Sequence, residues 1–257
     1  MADQVRDSLV LGLAVLVAGI ACAPAQTNWT QLAPLGGPPL ARSSQSAVLN
    51  TSNGRMIVFG GTLDTVNGPS GELNDVWVFQ DARTNTGNTW QKLTVNGTLP
   101  AARSSHSAVY DQINNRLIIF GGNPDGGFCF QDLNDVWVLT NADGTGGTAG
   151  WTQLSPMGTP PSVRSSASAV YDQSNNRMIF YGGNEQCDNP DSDLWVLTNA
   201  NGLGGTPGWI QLSPAVGGPG PRTVHSATYD AADNRMILFG GQGGSPFEAA
   251  TNCHRSV

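Results

Sequence analysis

The chain has 257 residues, enough for one large all-β domain or two small ones. Only 12% of its residues are charged and 39% are hydrophobic, which excludes a disordered acidic tail and disfavours a helix-rich fold. The net charge of −7, with Lys92 as the single lysine, gives no electrostatic footprint for nucleic acid or anionic lipid.

The first residues carry the pattern of a secretory signal. Residues 9–21 are apolar or glycine throughout, a run of about 13 residues that is too short to span a bilayer. Ala23 and Ala25 then match the small-residue pattern of a cleavage site. The sequence therefore predicts a signal peptide over residues 1–25, no transmembrane segment, and a secreted or cell-envelope protein. A second interpretation, a lipid anchor on Cys22 after signal removal, stays open.

From residue 27 to residue 241 the chain is a repeat. Its clearest copy spans residues 103–122 and reads RSSHSAVYDQINNRLIIFGG. The equivalent stretches are 42–61, 164–183 and 222–241. A third apolar run, such as DVWVL at 135–139, follows each of the first three copies, and a tryptophan comes next. The period is marked by tryptophans spaced 61, 61 and 58 residues apart: Trp29, Trp90, Trp151 and Trp209.

Each full period contains four short strands. In the first period, β-branched and aromatic residues form runs near 43–49, 55–59, 75–79 and 90–93. Sequences such as DQINNR place Asn and Asp where a tight turn needs positive φ or side-chain-to-backbone bonds. A repeated four-stranded antiparallel sheet is typical of propeller blades. Because a single sheet of this size cannot bury both faces, we expect the copies to stack.

The order of these features resembles the kelch repeat: arginine, a small-residue strand, a hydrophobic strand, Gly-Gly, an aromatic-containing strand and tryptophan. The match covers residues 27–241. The resemblance implies an all-β, kelch-type β-propeller of the secreted, galactose-oxidase-like type. It also implies that the strand rich in small residues, with Ser44, Ser46 and Ala47 in the first copy, lies innermost.

The fourth copy departs from the family pattern. It lacks the third strand and the closing tryptophan, and residues 242–257 read as an irregular tail. Residues 28–32 supply an orphan fourth strand that could close a ring by joining the C-terminal half-blade. We expect three full blades plus partial N- and C-terminal blades, in an incomplete or open propeller rather than a closed four-bladed ring. Its open edge could dock a partner.

Most repeated residues have a structural interpretation. The tryptophans are expected to pack between blades. The glycine-rich stretches 143–150 and 201–208 are predicted to be flexible connections. The doubled glycines predict a backbone that needs positive φ or the close approach of a neighbouring chain. These glycines are Gly60, Gly61, Gly121, Gly122, Gly182, Gly183, Gly240 and Gly241.

The arginine that opens each copy is predicted to pair with an aspartate of a third strand. The arginines are Arg42, Arg103, Arg164 and Arg222, and the aspartates are Asp75, Asp135 and Asp193. His106 and His225 share a repeat position with Gln45 and Ala167. No metal-ligand set, Ser-His-Asp arrangement or carboxylate pair stands out from the repeat. We therefore predict no catalytic residue, no metal and no cofactor.

Recognition is expected in the loops that differ between copies, which join second to third strands at 62–74, 123–134 and 184–192. Candidate ligand-binding residues in these loops are Asp125, Phe128, Phe130 and Glu185. Cys129 and Cys187 lie in loops of successive blades, and in a secreted protein this placement predicts a disulfide.

Three hypotheses on function follow. The first is a secreted binding or scaffold module for protein or carbohydrate ligands, without catalysis. The second is a fragment of a propeller enzyme, galactose-oxidase-like or sialic-acid-processing, and the third is an element of a surface assembly. The enzyme hypothesis gains if His, Tyr or carboxylates of several blades converge on the axis. It loses if Arg103, Arg164 and Arg222 all pair with nearby aspartates.

Overall fold

The structure is a computed structural model. The structure describes residues 30–63, 71–84, 86–125, 131–185, 189–214 and 217–243, together with the backbone of 254–256. The chain divides into two compact units, Met1–Gln31 and Leu32–Val257. Of the first unit only two residues are described, and neither lies in a helix or strand. The orphan strand predicted over 28–32 is therefore not formed by its described residues.

The second unit is built from short strands. In chain order they are β1 (Arg42–Ser43), β2 (Ser46–Asn50), β3 (Arg55–Phe59), β4 (Thr62–Leu63), β5 (Gly71–Glu72), β6 (Val76–Gln80), β7 (Thr89–Lys92), β8 (Val95–Asn96), β9 (Ser107–Asp111), β10 (Arg116–Gly122), β11 (Leu133–Thr140), β12 (Ala149–Leu154), β13 (Ser168–Asp172), β14 (Arg177–Tyr181), β15 (Leu194–Thr198), β16 (Gly208–Leu212), β17 (Arg222–Thr223), β18 (Ser226–Asp230), β19 (Arg235–Phe239), β20 (Gln242–Gly243) and β21 (His254–Ser256).

These strands form one antiparallel sheet in each period. The first sheet has the order β2-β3-β6-β7, the second β9-β10-β11-β12 with β8 added in parallel beside β12, and the third β13-β14-β15-β16. The fourth sheet has the order β18-β19-β21. Residues of the first and fourth copies also form two small separate sheets, the three-stranded β1-β4-β5 and the two-stranded β17-β20.

The hairpin between the first two strands of a sheet follows from its polar residues. In the second sheet, Asp111 Oδ1 accepts hydrogen bonds from the backbone N–H of Ile113 at 3.0 Å and Asn114 at 3.2 Å. Asn115 then adopts φ of 52°, and Asn176 repeats this in the third sheet with φ of 51°. Asn tolerates the left-handed conformation better than most residues, so this turn chemistry sets the antiparallel pairing.

The hydrophobic core lies between sheets. Side chains alternate between two faces of each sheet, and we call the face toward the next sheet along the chain the forward face and the opposite one the rear face. Val109 and Ile118 lie on the forward face of the second sheet, in a core shared with Phe180 of the third. Leu117 and Trp151 lie on its rear face, in a core shared with the first sheet. A third core joins the third and fourth sheets.

The sheets stack in chain order around their first strands. β2 contacts β9, β9 contacts β13, and β13 contacts β18. Within the described part of the chain no comparably extensive contact joins β18 back to β2.

The segment predicted as an irregular tail contains two strands. Gln242–Gly243 pairs with β17, and His254–Ser256 pairs antiparallel with β19 in the place of a third strand. The free edge of a strand such as β19 presents unpaired backbone N–H and C=O groups. A segment can therefore pair with it without carrying the apolar third-strand sequence of the other copies.

Candidate binding surface at the loop end

The stacked sheets have two distinct ends. At one end lie the loops that join second to third strands and the segments that enter the next sheet, and we call this the loop end. At the other lie the hairpins between first and second strands and the loops between third and fourth strands, which we call the turn end. Asp125 and Glu185, the two predicted ligand-binding residues that the structure describes, belong to the loop end.

One arginine in each sheet anchors the loop end from the inside. Arg103 is fully buried, and its Nη1 donates to Asp135 Oδ1 at 2.6 Å and to the Gly121 carbonyl oxygen at 2.8 Å. Burial by itself raises the pKa of Asp135, but the hydrogen bonds and charge of Arg103 outweigh it and hold that pKa below its usual value. The predicted pairing is confirmed here and in two other sheets, by Arg42–Asp75 at 2.6 Å and Arg164–Asp193 at 2.5 Å.

The fourth arginine differs from the others. Arg222 is half-buried and donates to the carbonyl oxygens of Gly220 at 3.1 Å and Gly240 at 3.0 Å. Among the described residues it has no aspartate partner, because the fourth copy lacks the third-strand sequence that supplies one. Two of the three arginines that the enzyme hypothesis needs free are thus paired with aspartate, and the third bonds to backbone.

The loops rest on the sheet that follows them. Glu72 accepts a hydrogen bond from Ser104 Oγ at 3.1 Å, and Asp132 accepts one from Ser165 Oγ at 3.3 Å. Asp132 is buried, and this burial raises its pKa despite a further hydrogen bond from Asn123. Neither carboxylate is among the site residues predicted from the sequence. Their signal is an acidic residue three positions before the repeated aspartate, in ELND and DLND.

The predicted ligand-binding residues are described only in part. Asp125 is exposed, and its Oδ2 accepts a hydrogen bond from Gln131 Nε2 at 3.0 Å. Glu185 is half-buried, and its backbone N–H donates to the Asn189 carbonyl oxygen at 3.0 Å. The remaining predicted residues, Phe128, Phe130, Cys129 and Cys187, lie outside the described residues. The aromatic platform and the disulfide stay predictions.

Carboxylates are the only charged side chains in the described parts of the variable loops, and they range from exposed, at Asp125, to buried, at Asp132. Asp191 lies 3.3 Å from Arg164, yet burial, followed by the charge of Asp193, raises its pKa. The arginines of this end point inward and donate to carbonyl and carboxylate oxygens of the protein, so they do not offset the charge of the loop carboxylates. The carboxylates that remain in the loops are Glu72, Asp125, Asp132, Glu185 and Asp191.

The doubled glycines of the first three copies lie where one sheet touches the next. Gly121 has φ of 63°, and a Cβ there would lie 2.6 Å from the Arg164 carbonyl oxygen. A Cβ at Gly60 or Gly182 would likewise lie 2.6 Å from the carbonyl oxygen of the equivalent arginine in the next sheet. The second glycine of each pair also has positive φ, at 96°, 98°, 100° and 91° for Gly61, Gly122, Gly183 and Gly241. Side chains are therefore excluded by backbone conformation and by close approach together.

The two described histidines lie in the contacts between first strands. His106 Nε2 lies 2.7 Å from Ser46 Oγ of the preceding sheet, and His225 Nε2 lies 2.6 Å from Ser168 Oγ. Burial, with the charge of Arg103, lowers the pKa of His106 to about 3. Burial, with the charge of Arg222, lowers that of His225 to about 4. Both rings are neutral at physiological pH and link adjacent sheets.

The turn end corrects one prediction. The glycine-rich loops expected to be flexible connections hold buried polar groups. Asp143, 1% exposed, accepts hydrogen bonds from Asn50 of the preceding sheet at 2.9 Å and Asn115 at 2.6 Å. Asn201 donates to Asp111 of the preceding sheet at 2.6 Å. The glycines let these loops bend toward the neighbouring sheet, so that a side chain can reach it. The loops are therefore held by hydrogen bonds between sheets.

Two further findings concern the described residues. They contain no group of three or more His, Cys, Asp or Glu side chains placed to hold a metal ion. Nor do they include a helix long and apolar enough to cross a membrane.

The sequence matches the family described as the KLHDC2/KLHL20/DRC7 Kelch-repeats domain over residues 20–145 and 134–254. The chain belongs to the kelch-repeat family. The predicted fold class is thereby confirmed, with three full four-stranded sheets and a partial fourth.

Curated relatives of the kelch chain are larger proteins. It is 29% identical over 196 residues to host cell factor 1 of Homo sapiens, covering 73% of this chain and 9% of that protein. It is 26% identical over 235 residues to the Rab9 effector protein with kelch motifs of Xenopus laevis, covering 87% and 56%. It is 30% identical over 128 residues to dynein regulatory complex subunit 7 of Chlamydomonas reinhardtii, covering 50% and 10%. The chain thus spans less than two thirds of each of these relatives.

A solved structure shares the kelch fold. The structure of YjhT superposes with a TM-score of 0.62 at 19% identity, covering 84% of this chain and 63% of that one. At this identity the likeness shows the fold alone.

Proposed function

We propose that this kelch chain is a non-catalytic protein-interaction module whose loop end binds a basic segment of its partner. Among the described residues, the arginines of the loop end and both histidines are engaged within or between sheets. The loops that differ between copies are left to recognise a partner, and they carry carboxylates without lysine or arginine in their described parts. This excess of negative charge is the observation that supports a basic partner.

Display of random peptides against the immobilised full chain tests this proposal. We expect the selected peptides to be enriched in Lys and Arg. Asp125→Asn and Glu185→Gln should each weaken their binding about three-fold, the upper part of the range for an exposed ion pair, and added salt should weaken it further.

Asp233→Asn is the matched control, since it removes one exposed carboxylate at the turn end. It should leave the affinity of the selected peptides unchanged. Selected peptides without basic residues, or equal losses for the control and the loop-end variants, would show that the carboxylates of the loop end are not the binding surface.

Glycan binding is the second candidate, supported by the two loop phenylalanines Phe128 and Phe130 predicted as a stacking platform. Affinity electrophoresis through gels containing neutral polysaccharides tests it. Retardation that Phe128→Ala and Phe130→Ala abolish supports this candidate. Retardation that both variants retain, or unretarded migration of the unaltered chain in every gel, argues against it.

Export is part of the proposal and is supported by the signal pattern of residues 1–25. Intact mass of the protein recovered from its natural source should show a chain beginning at Gln26. A mass gained only on reduction and alkylation would reveal the predicted Cys129–Cys187 disulfide. A chain retaining Met1 inside the cell would contradict export.

A further inference from the structure

Asparagine is directly followed by glycine at four positions of the chain, 53–54, 67–68, 96–97 and 201–202. In such a pair the backbone nitrogen of the glycine can attack the side-chain amide of the asparagine, because glycine has no Cβ to hinder the approach. Asparagine is thermolabile for this reason. The structure describes the pairs that begin at Asn53, Asn96 and Asn201, and Asn67 lies outside the described residues.

Hydrogen bonds hold the pair at Asn53 in an unreactive arrangement. Asn53 Nδ2 donates to Asp143 Oδ2 at 2.6 Å, and Asn53 Oδ1 accepts from the backbone N–H of Arg55 at 3.1 Å. Gly54 is buried, and its N–H, which would have to attack, donates to the Asn50 carbonyl oxygen at 2.8 Å. Reaction at this pair requires these hydrogen bonds to open first.

The pair at Asn201 is held in the same way. Asn201 is 2% exposed, its Nδ2 donates to Asp111 Oδ2 at 2.6 Å, and its Oδ1 accepts from Asn176 Nδ2 at 2.7 Å. The N–H of Gly202 donates to the Asn199 carbonyl oxygen at 2.9 Å. Both the amide that would be attacked and the nitrogen that would attack it are therefore engaged.

The pair at Asn96 differs in each of these respects. Asn96 ends the two-residue strand β8, and both Asn96 and Gly97 are exposed. Among the described residues, neither the Asn96 side chain nor the Gly97 N–H has a hydrogen-bond partner. β8 is held to β12 only through Val95 and Asn96, so the backbone here opens at a lower cost than that of a strand paired along its length.

The repeat shows that this position does not depend on asparagine. Leu35 and Met157 hold the same place, six residues after a repeat tryptophan and in parallel beside the fourth strand of a sheet. The glycines that follow them have φ of 86° and 87°, against 86° at Gly97. Leu35 and Met157 are 69% and 65% exposed, so the backbone turn is retained with an apolar side chain in the place of Asn96.

We propose that Asn96 is a site of spontaneous deamidation in the folded protein. The backbone nitrogen of Gly97 loses its proton to water and bonds to Asn96 Cγ. The bond from Cγ to Nδ2 breaks, and the amide takes a proton from water and leaves as ammonia. Water then opens one of the two C–N bonds of the five-membered imide. One opening gives aspartate and the other isoaspartate, in which the main chain runs through Cβ and Cγ.

This reaction changes the outer edge of the second sheet in two ways. Each event adds one negative charge to a chain whose net charge is already −7. Isoaspartate also lengthens the main chain by one CH₂ at the end of β8, next to Val95, which packs against the core between the first two sheets. The change is irreversible without a repair enzyme, so its extent records the age of the molecule.

Peptide mapping by mass spectrometry of the full chain, folded or unfolded in urea and incubated at mildly alkaline pH, measures the conversion at each asparagine. In urea the three described pairs should react at comparable rates. In the folded chain, Asn96 should stay within about three-fold of its rate in urea. Asn53 and Asn201 should be slowed at least about ten-fold, because several hydrogen bonds must open before they react.

Asn96→Met is the matched control, since methionine holds the equivalent position at Met157. Circular dichroism should show the variant to be folded, and the conversion of Asn53 and Asn201 should keep its rate. Methylation by an isoaspartyl methyltransferase should label the aged unaltered chain at position 96 and leave that position unlabelled in the variant. Folding that slows Asn96 as much as Asn53 and Asn201, or that leaves all three unslowed, would overturn the proposal.

Discussion

Replacing His106 by glutamine tests the histidine–serine contacts between sheets. His106 is 8% exposed, its Nε2 lies 2.7 Å from Ser46 Oγ, and its ring meets Phe59 with centroids 5.1 Å apart. Burial, then the charge of Arg103, lowers its pKa from 6.5 to about 3. Glutamine is a native choice at this repeat position, since Gln45 occupies it in the first copy.

The direction of the pH effect follows from this lowered pKa. Above pH 6.5 the ring is neutral in both the folded and unfolded chain, and the stabilising contribution of the neutral histidine is fully present. As the pH falls from 6.5 toward about 3, the unfolded chain binds a proton that the folded chain does not. Each pH unit in this window costs about 1.4 kcal/mol, so between about pH 7.5 and about pH 5 the loss is about 2 kcal/mol.

Urea unfolding of the unaltered chain and of His106→Gln at several pH values between these limits measures this difference. The free energy of unfolding of the unaltered chain should fall by about 2 kcal/mol more than that of the variant. Asp132 and Asp191, whose raised pKa values act in the opposite direction, are present in both proteins and cancel in the comparison. Parallel pH profiles of the two proteins would refute a buried, neutral His106.

Two further substitutions test the contacts of the loop end. Asp135→Asn leaves the fully buried Arg103 without its counter-charge and should lower the free energy of unfolding by about 3 kcal/mol. Asp125→Asn, on an exposed loop, should change the free energy of unfolding little. Equal effects of the two substitutions would contradict the buried pair. Gly121 and Gly37 share a φ near 62°, but only Gly121→Ala places a Cβ against a backbone oxygen. Thermal unfolding should therefore show Gly121→Ala to be at least about 1 kcal/mol more destabilised than Gly37→Ala. Equal losses of stability would exclude a steric role for this contact.

Contacts within one repeat could be predicted from the sequence. Arg103 and Asp135 recur together in each full copy at similar separation, and a four-stranded meander brings the start of its first strand and the start of its third to the same end. Opposite charges at such positions attract, so their pairing follows from the strand order alone. The hairpin at Asp111 was predictable for the same reason, because its hydrogen bonds span two or three residues.

Contacts between repeats could not be predicted in the same way. Asp143 accepts a hydrogen bond from Asn50, a residue of the preceding sheet, and Glu72 accepts one from Ser104 of the following sheet. These bonds depend on the angle and distance at which two sheets stack. Neither quantity is encoded in the strand pattern of a single copy. The prediction that the glycine-rich loops are flexible was therefore wrong, because Asp143 and Asn201, which they carry, are buried in the contacts between sheets.

Phe120 and Phe239 show where the division between sequence and tertiary structure falls. Both lie in the second strand of their copy, both directly precede a Gly-Gly pair, and both face forward. The strand, the turn before it and the face on which each ring lies follow from the sequence, because they depend on residues a few positions away. The difference in exposure, 1% for Phe120 and 69% for Phe239, follows instead from the stacking of sheets, because burial requires a second sheet and the third sheet covers Phe120.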